Sequence, residues 1–233
     1  MNAYLYLIAS VIGGAALGAI LKTHKNFQVK FLLTFSGAYL LSIGIFHLLP
    51  EIYEEHDHRM GLWIMGGFFI QLLLEVFSKG IEHGHGHVEW FQKRGIPLTI
   101  IASLFVHALL ESLPIGAHGE ELSRKAMLWG IVIHKLPVSL ILFTMLSEVL
   151  DQRWRIYLVL LAFALVAPLG VYLGEELAFL HNHYRELTAL TFGLFVHIST
   201  TILFESSESH QFHLKKFASI VLAVVVAWFS VSH

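Results

Sequence analysis

Eight times along the chain, predominantly apolar residues run for about twenty positions, the length an α-helix needs to cross a hydrocarbon layer roughly 30 Å thick. The runs fall at about 3–22, 29–49, 62–79, 97–117, 126–147, 155–174, 187–204 and 214–232. Lipid offers no hydrogen bonds to a backbone, so a run of this length must satisfy its amides internally, as a helix. A soluble core made of the same helices would need polar faces recurring at helical period, and most of these runs have none. With 56% hydrophobic and only 14% charged side chains, the composition agrees. The expected fold class is therefore all-α: a polytopic membrane protein of eight transmembrane helices forming one domain, 1–233. The first run begins almost at Met1 without a basic region before it, so a retained helix is expected in place of a cleaved signal peptide. Its stretch IGGAALGA suits close helix contact.

Loop charges orient the bundle. With both termini outside, the inner loops hold Lys22, Lys25, Lys30, Lys79, Lys93, Arg94, Arg153, Arg155, Lys215 and Lys216, and the outer loops only Arg59, Arg124, Lys125 and Arg185. This excess of inner positive charge is the pattern cytoplasmic loops show, so both termini are expected outside. The outer loops, EIYEEHDHRM, AHGEELSRK and GEELAFLHNHYRE, are rich in carboxylate and imidazole and would concentrate cations. A net charge of −2 gives no basic surface for nucleic acid. Beyond an ion and the lipid bilayer, a second copy of the chain in a homodimer is the macromolecular partner compatible with such a bundle.

Sixteen histidines outnumber the fifteen lysines and arginines, and cysteine is absent. Thiolate sites are thereby excluded, and any metal must be held by nitrogen and oxygen donors. In the expected cytoplasmic loop 80–96, IEHGHGHVEW alternates His83, His85 and His87 with glycine, a flexible and weak chelator. Inside the spans lie Glu75, His107, Glu111, His134, Lys135 and His197, with His47 near the end of the second. An ionisable group at mid-bilayer costs at least about 2.5–3.5 kcal/mol unless it faces a partner or water, which makes each a candidate functional residue. At about 100° per residue, His107 and Glu111 stand roughly 40° apart and His118 falls on the same stripe. Pro114 and Pro137 each remove a backbone donor beside these residues, and two polar spans interrupted near the midplane are a transporter's way of building a site.

HALLESLPIGA (107–117) and HKLPVSLIL (134–142) resemble the fourth- and fifth-helix motifs of the ZIP (zinc/iron-regulated-transporter-like) family of metal transporters. FHLLPE ending the second span, LLLE in the third before a histidine-rich loop, and APLG in the sixth are similar too, so that the resemblance covers essentially the whole chain. It implies a metal site between helices four and five, and a two-metal centre bridged by motif carboxylates. Here Ala108 stands where the family often has asparagine, Lys135 takes the second position of the fifth-helix motif, Val138 replaces the usual bridging glutamate, and Ala167 precedes Pro168 where some relatives carry a carboxylate. The second metal site has lost its ligands. The expected centre is therefore single-metal, with His107, Glu111 and His134 as ligands and the Lys135 ammonium supplying the charge of the missing ion.

The expected function is movement of a divalent transition metal into the cytoplasm, along a path past His47, Glu51 and His118 to the centre, then His197 and the histidine loop. Imidazole with carboxylate suits Zn²⁺ first, and also Fe²⁺, Mn²⁺, Co²⁺ and Ni²⁺. The resemblance places the chain in the cell membrane, the cytoplasmic one if bacterial. No enzyme is expected, yet two other readings remain open: a membrane-embedded zinc hydrolase with Glu111 as general base, and a family member that senses metal without transporting it.

Overall fold

The computed structural model describes residues 2–21, 29–81, 98–117, 119–205 and 214–231, and all regular structure among them is helical. The helices are α1 (Ala3–Leu21), α2 (Val29–Ile52), α3 (Met60–Ser78), α4 (Leu98–Gly116), α5 (Glu121–Val149), α6 (Arg153–Glu176), α7 (Tyr184–Glu205) and α8 (Leu214–Val231), with a short helix, Ala178–Asn182, between α6 and α7. Seven of them, α1 to α7, are long and apolar enough to cross a membrane. The eighth expected span corresponds to α8, whose first turn carries Lys215 and Lys216 and which lies against α2.

The helices pack in intimate pairs: α1 on α5, α3 on α7, α4 on α6 and α2 on α8. Lipid tails are as apolar as leucine, so such pairs are held by close van der Waals contact, which small residues permit. Gly14 supplies that contact for α1, since a Cβ there would meet Ser139 of α5 at 2.9 Å. Gly67 does the same for α3, because a Cβ would run into the Leu190 carbonyl of α7. Large side chains such as Trp63, Phe69, Leu73 and Phe77 on α3, and Leu158, Leu161 and Leu165 on α6, point away from the bundle. Glutamate, lysine, glutamine and histidine lie buried within it. This reversal of the soluble pattern marks a multi-pass membrane protein.

Two local features depart from the expected picture. Pro114, Pro137 and Pro168 sit inside continuous helices, so the fourth and fifth spans are loosened at their prolines and not interrupted. The carbonyl that Pro114 leaves without an in-helix donor, that of Leu110, faces the Thr191 hydroxyl of α7 at 3.5 Å, and a neighbour's hydroxyl of this kind lets a membrane helix continue past a proline. In α2 the turn Gly44–Leu48 is a π-turn, a local widening that often accompanies functional positions, and it carries His47.

Gly67→Val should separate α3 from α7 and cost about 1–3 kcal/mol as an overpacking change. Gly66→Val, where a Cβ meets nothing within 4 Å, should leave the protein within about 0.5 kcal/mol. Thermal midpoints of the two variants in the same detergent check this.

Candidate metal centre

The two polar helices meet through a buried ion pair. Glu111 of α4 and Lys135 of α5 are 1% and 2% exposed, with the lysine Nζ 2.6 Å from Glu111 Oε1. Glu111 is placed by its position one turn after His107 on the inner stripe of α4, and its other oxygen, Oε2, lies 3.2 Å from His107 Nε2. The lysine is held from its far side as well: its Nζ sits 4.9 Å from the centre of the Phe163 ring of α6, a favourable face for a cation. His134, one residue before Lys135, is buried and edge-on to His107, with ring centroids 6.3 Å apart and planes at 82°. A metal ion about 2.0–2.1 Å from a ring nitrogen lies roughly 3.2 Å from that ring's centre, so two ligating imidazoles have centroids no more than about 6.4 Å apart. His107 and His134 stand at the edge of that reach.

A second helix pair extends the polar line. Gln71 of α3, fully buried, places Oε1 2.9 Å from His107 Nδ1. One turn further along α3, Glu75 Oε2 lies 3.3 Å from His197 Nε2 of α7. The His197 ring packs against Phe68, with centroids 4.8 Å apart. His197 is thus paired with Glu75 across α3 and α7. The sequence reading passed over Gln71, although a lone amide in FFIQLLLEVF, four residues before Glu75, puts both polar groups on one face of an otherwise oily helix.

Where the family pattern would place further donors, the bundle holds hydrocarbon. Ala108 and Val138 are both buried in one apolar cluster with Leu104, Leu142, Phe163 and Ala164. Ala167 lies buried in the other large cluster. An ion on that side would meet methyl groups.

At the end of the bundle where α2 stops, Glu51 is 6% exposed and its Oε1 accepts the Glu120 amide at 3.0 Å. His47 is held nearby through its backbone, whose carbonyl accepts the Ser123 hydroxyl at 3.2 Å. Three of the surrounding acids are engaged: Glu55 with Arg185, Glu175 with the Tyr4 hydroxyl, Glu121 with Lys125 at 2.6 Å. Hydrogen bonds from the Arg59 side chain and backbone hold the Asp57 carboxyl below its ordinary carboxylate range. His118, His83, His85 and His87 lie outside the described residues. Among the described residues, no three histidine, aspartate or glutamate side chains form a ready-made metal cage. At the centre the Lys135 ammonium already holds one oxygen of Glu111.

Removing one partner of a buried ion pair leaves an uncompensated charge and costs about 3–5 kcal/mol, whereas replacing both by apolar residues of similar size is often near neutral. Lys135→Met should therefore lower the thermal midpoint more than the double variant Lys135→Met/Glu111→Met does, and parallel melts in detergent read the difference.

No protein-family model matches the chain. It is 29% identical to zinc transporter ZIP9-B of Xenopus laevis over 127 residues, which is 51% of this chain and 42% of that protein. It is 22% identical to probable zinc transporter 12 of Arabidopsis thaliana across 76% of this chain and 65% of that protein. A shorter match, 28% over 78 residues, joins it to zinc transporter SLC39A7 of Mus musculus and spans 25% of this chain. The matched regions thus span less than two thirds of these relatives' own length. Over these stretches the chain is similar to proteins named as zinc transporters, which agrees with the resemblance of its α4 and α5 motifs to the ZIP family.

Proposed function

We propose that this protein carries zinc across a membrane into the cytoplasm through a single-ion centre built from His107, Glu111 and His134. The relatives it matches are named as zinc transporters, which favours transport over the hydrolase reading: the chain is not an enzyme. The observation that carries the proposal is the Glu111–Lys135 pair, 2.6 Å apart in the middle of the bundle beside two imidazoles. In this reading the ammonium keeps the carboxylate ionised and supplies one positive charge where a two-ion centre would need a second cation. The hydrocarbon packed around Ala108 and Val138 supports the single-ion form. Binding an ion then requires the lysine to give up part of its hold on Glu111, which keeps affinity moderate and release fast, as a conduction site demands.

The wider arrangement follows the same reading. All eight helices span, with both termini outside, so the end holding His47 and Glu51 faces the exterior and the ion leaves past Glu75 and His197 toward the histidine loop. The membrane is the cell's outer bounding one, and Fe²⁺ or Mn²⁺ are secondary cargoes. One feature favours a second reading, a member that binds metal without moving it: Val138, packed in hydrocarbon, stands where the resemblance calls for a bridging glutamate.

Sealed proteoliposomes separate these readings. Zinc should accumulate well above protein-free vesicles, and His107→Ala should reduce the initial rate at least about tenfold, the effect expected for loss of a metal-binding contact. Vesicles that bind zinc without accumulating it point to the second reading, and vesicles that do neither overturn the assignment.

A further inference from the structure

We propose that Gln71 is the positioning residue of His107, setting which ring nitrogen faces the ion and holding the imidazole to moderate ligand strength. The inference rests on the reading of His107 as an ion ligand.

Gln71 comes from α3, a third helix beside the α4–α5 pair. Its carboxamide is fully buried, and a buried amide is costly unless it is hydrogen-bonded. Its one described hydrogen bond is the 2.9 Å contact between Oε1 and His107 Nδ1. A carboxamide oxygen carries no hydrogen, so Nδ1 must donate. With the ring hydrogen committed there, Nε2 is the basic nitrogen, and it is Nε2 that faces Glu111 Oε2 at 3.2 Å. Two electron-rich atoms at that separation need a proton or a cation between them. The geometry thus aims the ligating lone pair of His107 at the space beside the Glu111 carboxylate. Glu75, the nearby acid on the same helix, is engaged with His197 at 3.3 Å, which leaves the neutral amide as the group on Nδ1.

The chemical identity of the orienting group matters. Metal-bound histidines commonly donate their second N–H to a carboxylate or a carbonyl, and this partner fixes the tautomer and raises ligand basicity. A neutral amide raises it less than a carboxylate does. For a resident structural metal the stronger partner is an advantage; for an ion that must leave in every cycle the weaker one is.

The test compares wild type, Gln71→Leu and Gln71→Glu in zinc-uptake kinetics, alongside cobalt titrations of the purified protein followed by its visible absorption. Loss of the acceptor in Gln71→Leu should raise the half-saturating zinc concentration about 10–100-fold, the usual penalty for losing a metal ligand's supporting partner. Gln71→Glu keeps an acceptor on Nδ1 and strengthens the ligand, so half-saturation and maximal rate should both fall, and cobalt should bind more tightly. A purely structural role predicts impairment of the same sign in both variants. If Gln71→Glu raises half-saturation as the leucine variant does, or if Gln71→Leu stays within threefold of wild type, the inference is wrong. Should the leucine variant fail to fold, the direction of the glutamate variant's shift decides alone. Wild-type protein that takes up no zinc and binds no cobalt overturns the transport reading and this inference together, whereas normal wild-type uptake with unresponsive Gln71 variants overturns only the latter.

Discussion

A carboxylate and an ammonium held 2.6 Å apart where almost no solvent reaches them constrain everything near them. Neither group tolerates hydrocarbon alone, and each would cost several kcal/mol if left without the other. Glu111 and Lys135 lie on different helices, so their pairing dictates the face that α4 turns toward α5. His107, one turn from Glu111, and His134, next to Lys135, are carried inward by the same requirement. The Phe163 ring behind the ammonium and the cluster around Ala108 and Val138 keep water from relieving the charges on that side.

The pair also explains why the bundle can present donors without closing a cage around an ion. A lysine on the carboxylate is both a stabilising partner and a competitor, so any cation reaching Glu111 must displace part of an existing interaction. A site meant to hold metal permanently gains nothing from such competition. One that loads and unloads is helped by it, since binding strong enough to select but weak enough to release is the general condition for conduction.

From the centre a line of polar side chains crosses to a second helix pair, through Gln71 to Glu75 and His197. Glycines at the contact of α3 with α7 bring those helices close enough for the line to bridge them. At the Glu51 end, the acidic residues that look like a loose cation funnel in the sequence are mostly pinned by arginine, lysine, tyrosine or backbone amides. These contacts tie helix ends together.

The apolar runs alone determined that this chain is a bundle of membrane helices, because backbone amides in lipid have no other partner than their own helix. Spacing along one helix likewise put His107 and Glu111 on one stripe, since a four-residue step is close to a full turn. What no single helix contains is its neighbour's identity. That Lys135 reaches Glu111, that Gln71 supports His107, that His197 turns to Glu75, and that prolines 114 and 137 leave their helices continuous were decided only when the helices packed, for each depends on which side chain a facing helix supplies at the same depth.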